Sequence, residues 1–336
     1  MSKLKDFPLN KVENDVLKGL ENLNCFTGIV YSAETHLMDS YWCLSQRPDM
    51  AFTFLWKSIN AIYNKYYFEK FAKETILTSM DFDGREGDAK KLELLLKGLL
   101  DKLEDRFDYN GNEFNLLELI QAYVEKMPIK TLRFVSNYIL NGYVLSEKID
   151  FQFIRQGLKA SKNPYISSQF TTFKKIFENN LNIISNTFGQ SYSQVTSITS
   201  SVENYNIEVK ALDKKKSREI SYSLATKLKE LLVNREVEVT NSDKTSTYKL
   251  KIENDLEYLQ MIFTVILYAI RNSSFHGNSA SRFESKYFNE ESVLSSIYTY
   301  LLGHLFLSLC MYISGDLEKD DLKINFINLE LINIKK

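Results

Sequence analysis

Ala51-Phe52-Thr53-Phe54-Leu55-Trp56-Lys57-Ser58-Ile59-Asn60-Ala61-Ile62-Tyr63 carries its apolar residues at helical intervals. Phe52, Leu55, Trp56, Ile59, Ile62 and Tyr63 fall at steps of three and four, giving one broad apolar face on a helix running to about Lys73. Further helices are expected at residues 12–24 and at Gly28–Ser45, the latter ended by Gln46-Arg47-Pro48. The middle of the chain reads as helices at Lys90–Phe107, Leu116–Lys126, Ile129–Asn141, Ser168–Phe188 and Ser217–Asn234. Asp255–Ile270 and Glu291–Ser314 read as two more, both strongly apolar. Only 12 Gly and 4 Pro punctuate 336 residues, which argues for long helices and against a sandwich or barrel. The expected fold class is mainly α.

Two short runs break the helical pattern. Glu236-Val237-Glu238-Val239-Thr240 and Tyr248-Lys249-Leu250-Lys251-Ile252 alternate apolar and polar residues, so 236–252 reads as a β-hairpin. Residues 322–334 alternate in their first half and read as a C-terminal strand. Ser191–Asn206, rich in Ser, Thr and Asn, reads as a loop. Asp81–Asp88, with two glycines, reads as a solvated acidic loop without calcium-loop spacing.

A net charge of −1 argues against a protein that coats nucleic acid generically. The one cationic cluster is Lys210–Arg218, containing Lys214, Lys215 and Lys216. Its ordinary reading is a solvated loop or helix start, with a phosphate-binding patch as the alternative. Cys25, Cys43 and Cys310 fall at unrelated spacings, which points to neither a disulfide framework nor a metal site. MSKLKDFPLNK lacks the apolar core of a signal peptide, so a cytoplasmic location is expected. Ser292–Gly315 has no charged residue and is long enough to span a bilayer. Its Ser, Tyr and His content and its acidic flanks favour a fully buried helix in a bundle or dimer core instead, with no membrane association.

Chemistry concentrates in Arg271-Asn272-Ser273-Ser274-Phe275-His276. Arginine is a permanent cation suited to phosphate, and histidine moves protons near neutral pH. On an unbroken helix, residues five apart differ by about 140° in direction. Asn272, Ser273, Ser274 and Gly277 favour turns, so the helix is expected to end near Arg271 and let both side chains face one cleft. The other two histidines read differently: His36 as a surface or half-buried residue, His304 as a core residue with satisfied hydrogen bonds. Asn60, polar within an apolar face, is expected to bond a neighbouring helix or support the site. The chain has no phosphate-cradling glycine loop, no His-Glu-x-x-His helix and no convincing Ser/His/Asp order.

The Arg271-Asn272…His276 motif between two apolar helices resembles the HEPN superfamily, whose ribonuclease members carry an Arg-x4–6-His motif, often with Asn after the Arg. The Trp56 helix with its Asn60-Ala61-Ile62-Tyr63 run is similar to Apea-like and related prokaryotic groups. The resemblance implies a four-helix bundle built from residues 12–80 and 253–315. Residues 85–235 would be a helical insertion, 236–252 a β-hairpin appendage and 322–334 a terminal strand. It also implies a metal-independent endoribonuclease that needs no cofactor, with Arg271 and His276 catalytic and Asn272 supporting. The substrate would be single-stranded RNA, tRNA or mRNA, cut through its own 2′-OH to a 2′,3′-cyclic phosphate and a 5′-OH. A single Arg–His motif per chain implies a homodimer through the helices flanking it, with a composite site, and a toxin or antiviral role implies restraint, as by a regulatory protein partner. His276-Gly277 departs from the His-x-Tyr ending of nucleotidyltransferase-paired members.

Overall fold

The structure, a computed structural model, describes residues 28–44, 47–72, 87–148, 166–201, 206–241, 243, 245–275 and 289–332. The expected helix at 12–24 and most of the acidic loop lie outside these residues. The chain divides into two compact units, one of residues 1–128 with 262–336 and one of residues 129–261.

In chain order, α1 (Gly28–Leu44) and α2 (Pro48–Tyr67, extended by a π-helical turn at Phe68–Ala72) are followed by α3 (Asp88–Leu100). A hairpin of β1 (Arg106–Tyr109) and β2 (Asn112–Asn115) leads into α4 (Leu116–Lys126). The second unit holds α5 (Ile129–Lys148), α6 (Ser168–Ile176), α7 (Glu178–Ile184) and α8 (Gln190–Gln194). It continues with hairpin β3 (Thr196–Ser201) and β4 (Asn206–Ala211), α9 (Lys214–Asn234), hairpin β5 (Glu236–Thr240) and β6 (Thr247–Lys251), and α10 (Asp255–Leu259). The first unit resumes and closes with α11 (Ala269–Phe275), α12 (Glu290–Ser314), a 3-10 turn at Lys319–Lys323 and α13 (Ile324–Ile332). The protein is thus mainly helical, with three separate two-stranded antiparallel sheets among the described residues.

In the first unit α2 is the organising helix. Leu55, Ile59 and Ile62 are fully buried, as the helical periodicity requires. Pro48 opens the helix, where its missing N–H is no loss, and Arg47 grips Asp49 through two 2.9 Å bonds just outside it. α1 lies on α2, tied by Ser58 Oγ donating to the Ala33 carbonyl at 2.6 Å. α12 crosses α2 closely at Gly303, where an added Cβ would sit 3.0 Å from both Leu55 and Phe52 side chains. α12 is buried from Ser292 to Met311, so the reading of 292–315 as a core helix holds in the fold, although the helix is long and apolar enough to cross a membrane.

Three expectations need correction here. The helix expected at Lys90–Phe107 stops at Leu100, because Arg106–Asn115 forms a hairpin. Its turn residues Asn110 and Gly111 both have positive φ (54° and 76°), the pair a two-residue hairpin turn demands. The strand expected at 322–334 is a 3-10 turn and helix. Leu322, Asn325, Asn328 and Leu329 are all buried at steps of three and one, a helical face, while Phe326 packs its ring on Phe107, Tyr109 and Phe114 of the hairpin. Residues 88–126, assigned by sequence to a middle insertion beginning at 85, cluster instead with the ends of the chain. Tyr298 Oη donates to the Tyr123 carbonyl at 2.8 Å and Tyr123 Oη to the Asn325 carbonyl at 2.9 Å, which binds α4 to α12 and α13.

In the second unit, 236–252 is a hairpin with Val237 opposite Leu250 and Val239 opposite Tyr248. The Asn180 amide extends its edge, donating to the Lys251 carbonyl at 2.8 Å and accepting from the Lys251 N–H at 3.0 Å. Ser191–Asn206 is not simply a loop: α8 ends within it and β3 pairs with β4, Ile198 facing Val209. Arg235 closes α9 in the left-handed region (φ 65°), its guanidinium 3.4 Å from the Tyr258 ring centroid and bonded to Asp255 at 3.0 Å.

Candidate active site

Arg271 and Asn272 lie on α11, which continues directly from a nine-residue π-helical run, Gln260–Tyr268. Runs of this hydrogen-bond pattern are rare and tend to adjoin functional positions. The helix does not end near Arg271; it carries on through Phe275, so Asn272 and Ser273 are helical rather than in a turn. The reason lies in the Asn272 side chain. Asparagine disrupts helices by bonding local backbone, but here Oδ1 accepts from Arg271 Nη1 at 2.7 Å. His276 lies outside the described residues.

The Arg271 guanidinium is boxed. Its Cζ is 5.6 Å from the Tyr268 ring centroid and 6.0 Å from that of Trp56, and the two rings are 5.8 Å apart. Asp88 Oδ2 stands 3.9 Å from Arg271 Nη2. Asp88 is the first residue of α3, where the helix dipole favours a carboxylate. Asn272 is buried and the Arg271 side chain retains 16% exposure, so one edge of the cation still meets solvent. A guanidinium flanked by apolar rings has little bulk water to screen it, which strengthens its pull on an anion.

The phenols around it register the same charges. Burial, then the Asp88 carboxylate, pushes Tyr268 up, opposed by a bond from Asn272 and by the Arg271 charge. Tyr63 is driven up by burial and then by the nearby Asp88 charge. Tyr63, Asp88 and Tyr268 carry no motif, which is why sequence reading passed them over. Asp88 was visible only as the last acid of a glycine-containing loop.

Asn60 sits one turn after Trp56 and one before Tyr63 on the same face of α2. Its Oδ1 and the Trp56 Nε1 are both buried without a hydrogen-bond partner among the described residues. Buried orphans of this kind are uncommon. Nearby, Lys91 Nζ donates to Asn64 Oδ1 at 2.8 Å.

The other histidines sit apart from this cluster. His36 is half-buried, 3.8 Å from Asp39. His304 is fully buried on α12 with both ring nitrogens engaged, as expected for a core histidine. Asn328 Nδ2, which can only donate, is 3.3 Å from Nδ1, so Nε2 carries the proton toward Tyr41 Oη at 3.2 Å. Burial lowers its pKa to about 4. Among the described residues no three His, Cys, Asp or Glu side chains are grouped to hold a metal ion.

The arrangement holds a fixed, partly desolvated cation, with the Asp88 carboxylate 3.9 Å away as the anion that faces it. Compared with family models, curated proteins and solved structures, the chain gives no match.

Proposed function

We propose that the chain is a cytoplasmic, metal-independent endoribonuclease of the HEPN kind, with a HEPN-like bundle formed by α1, α2, α11 and α12. It would act as a toxin or antiviral effector on single-stranded RNA, tRNA or mRNA. The observation that carries this reading is the fixed Arg271 guanidinium, bonded to Asn272 at 2.7 Å and flanked by Trp56 and Tyr268, five residues before His276. His276 takes the proton from the RNA 2′-OH or delivers one to the leaving 5′-oxygen. Arg271 offsets the charge that grows on the phosphorane-like transition state, and its preorganisation removes reorganisation at the moment of reaction. The products are a 2′,3′-cyclic phosphate and a 5′-OH.

Acid and base roles need two proton carriers, so two chains would face their motifs across a two-fold axis. α12 cannot supply that interface with its apolar length, because it is buried within the fold. The proposed homodimer through the helices flanking the motif would therefore use their remaining exposed residues. Restraint of the activity, by a protein partner or otherwise, belongs to the same reading. The test is cleavage of labelled single-stranded RNA in EDTA by the wild type, with Arg271→Ala and His276→Ala as controls.

A non-catalytic helical interaction or nucleotide-binding module is the second reading. Asp88, 3.9 Å from Arg271, favours it, since an ion pair of this kind can simply fasten α3 to α11. That reading predicts that Arg271→Ala lowers thermal stability and that the wild type cuts no RNA.

A further inference from the structure

The second unit carries cations placed against their local electrostatics. Lys214, Lys215 and Lys216 stand in the first turn of α9, and that turn has no acidic residue. Cations at a helix N-terminus oppose the dipole and weaken the helix. The terminus itself is already capped, Asp213 accepting from the Lys215 and Lys216 N–H groups at 3.0 Å each. Only backbone N–H groups of the lysines enter this cap, and their side chains take no part in it. All three are exposed, as are Lys210 at the end of β4 and Arg218 one turn on, and none of the five makes an ion pair among the described residues, whereas Lys227, Lys249 and Lys251 of the same unit are each paired with a glutamate.

Apolar groups stand exposed among them. Leu212 is 68% exposed between Lys210 and Lys214, and Tyr222 is 53% exposed. Lys214, Arg218 and Tyr222 succeed one another at steps of four, so they form one stripe along α9, about 6 Å apart along the axis. Cations in line with an open aromatic ring suit single-stranded nucleic acid: phosphates meet the cations and a base stacks on the ring.

We infer that the β4–α9 corner, with Lys210, Lys214, Lys215, Arg218 and Tyr222, is a docking surface for single-stranded RNA. This surface rests on the ribonuclease reading only for the identity of its ligand, and it lies in the unit that does not contain Arg271. The chain's net charge of −1 makes such a patch local, so it would recruit RNA at low salt without coating it.

The experiment measures binding of fluorescent oligouridine to the full chain across a salt series, in the His276→Ala background so that substrate survives. Charge reversal at Lys214, Lys215 and Arg218 is expected to weaken binding at least about tenfold and to reduce the salt slope by about 2, since each phosphate contact on a single strand contributes ~0.7. Tyr222→Ala weakens binding with the slope unchanged. Reversal also favours the helix dipole, so the melting temperature holds or rises; neutral Gln substitutions at the same three positions give the same direction of binding loss and guard against misfolding. Unchanged RNA affinity in the reversal and Gln variants overturns the inference, as does binding of phosphatidylserine vesicles in place of RNA. Neither result touches the catalytic reading, which fails separately if Arg271→Ala and the wild type leave RNA equally intact.

Discussion

Arg271 Nη1 donates to Asn272 Oδ1 at 2.7 Å, a bond between sequence neighbours that sets the plane of the guanidinium and keeps Asn272 from breaking its own helix. Asn272→Ala removes that constraint while leaving the cation in place. Small errors in aim at a reacting phosphate are expensive, and kcat/KM for RNA cleavage is expected to fall about 10²-fold. The melting temperature changes little, since one hydrogen bond contributes roughly 1 kcal/mol net. Loss of activity in proportion to loss of folded protein would refute the positioning role.

On the proposed ribonuclease reading, Asp88 competes with phosphate for Arg271. In Asp88→Asn the 3.9 Å pairing loses its charge. Asp88 is partly open to solvent, so screening limits the effect to about 1 kcal/mol, or roughly a fivefold gain in affinity for pyrophosphate as a competitor. Competition by pyrophosphate against labelled RNA reads this directly. Weaker pyrophosphate binding in Asp88→Asn would mean that the carboxylate orients Arg271 rather than opposing its ligand.

His304 ties stability to pH. Its folded pKa is lowered to about 4 against an ordinary 6.5, so the native state keeps it neutral while the unfolded chain protonates it. Stability from this group is complete above about pH 6.5 and is lost as pH falls toward 4, a swing of about 3 kcal/mol. Melting temperature measured across that window should fall steeply in the wild type and less in His304→Gln. Parallel profiles for the two would show that His304 is not the group responsible.

Gly303 fixes the approach of α12 to α2. In Gly303→Leu the new side chain meets Leu55 and Phe52, whose tips are 3.0 Å from where its Cβ must go. Overpacking of this sort costs about 1–3 kcal/mol. Phe52→Ala opens space for it, so the double variant should be less destabilised than the sum of the singles in urea melts. Strict additivity would place the strain elsewhere.

The helices of the first unit were legible because apolar residues alone decide them; Phe52 to Tyr63 needs no partner to declare its face. The hairpin at Arg106–Asn115 was also written in the chain, as Asn110-Gly111, but helical spacing in Leu92–Leu100 drew the reading past it. Residues 322–334 misled because Leu322, Ile324 and Phe326 alternate, while the burial of Asn325 and Asn328 depends on α12 and could not be foreseen. At the candidate site, Arg271 and Asn272 announced themselves through type and spacing. Asp88, Tyr63 and Tyr268 did not, since their part comes from three helices meeting. The helix through Phe275 also escaped reading, because a side-chain bond to Arg271 reversed the usual preference of Asn272.

One measurement bears most directly on the central claim: end-group analysis of labelled single-stranded RNA incubated with the purified full chain in EDTA. Cleavage to 2′,3′-cyclic phosphate and 5′-OH ends is expected, abolished in both Arg271→Ala and His276→Ala, with the DNA counterpart left intact. Cleavage that survives either substitution, that also consumes DNA, or that is absent from the wild type at every protein concentration would contradict it.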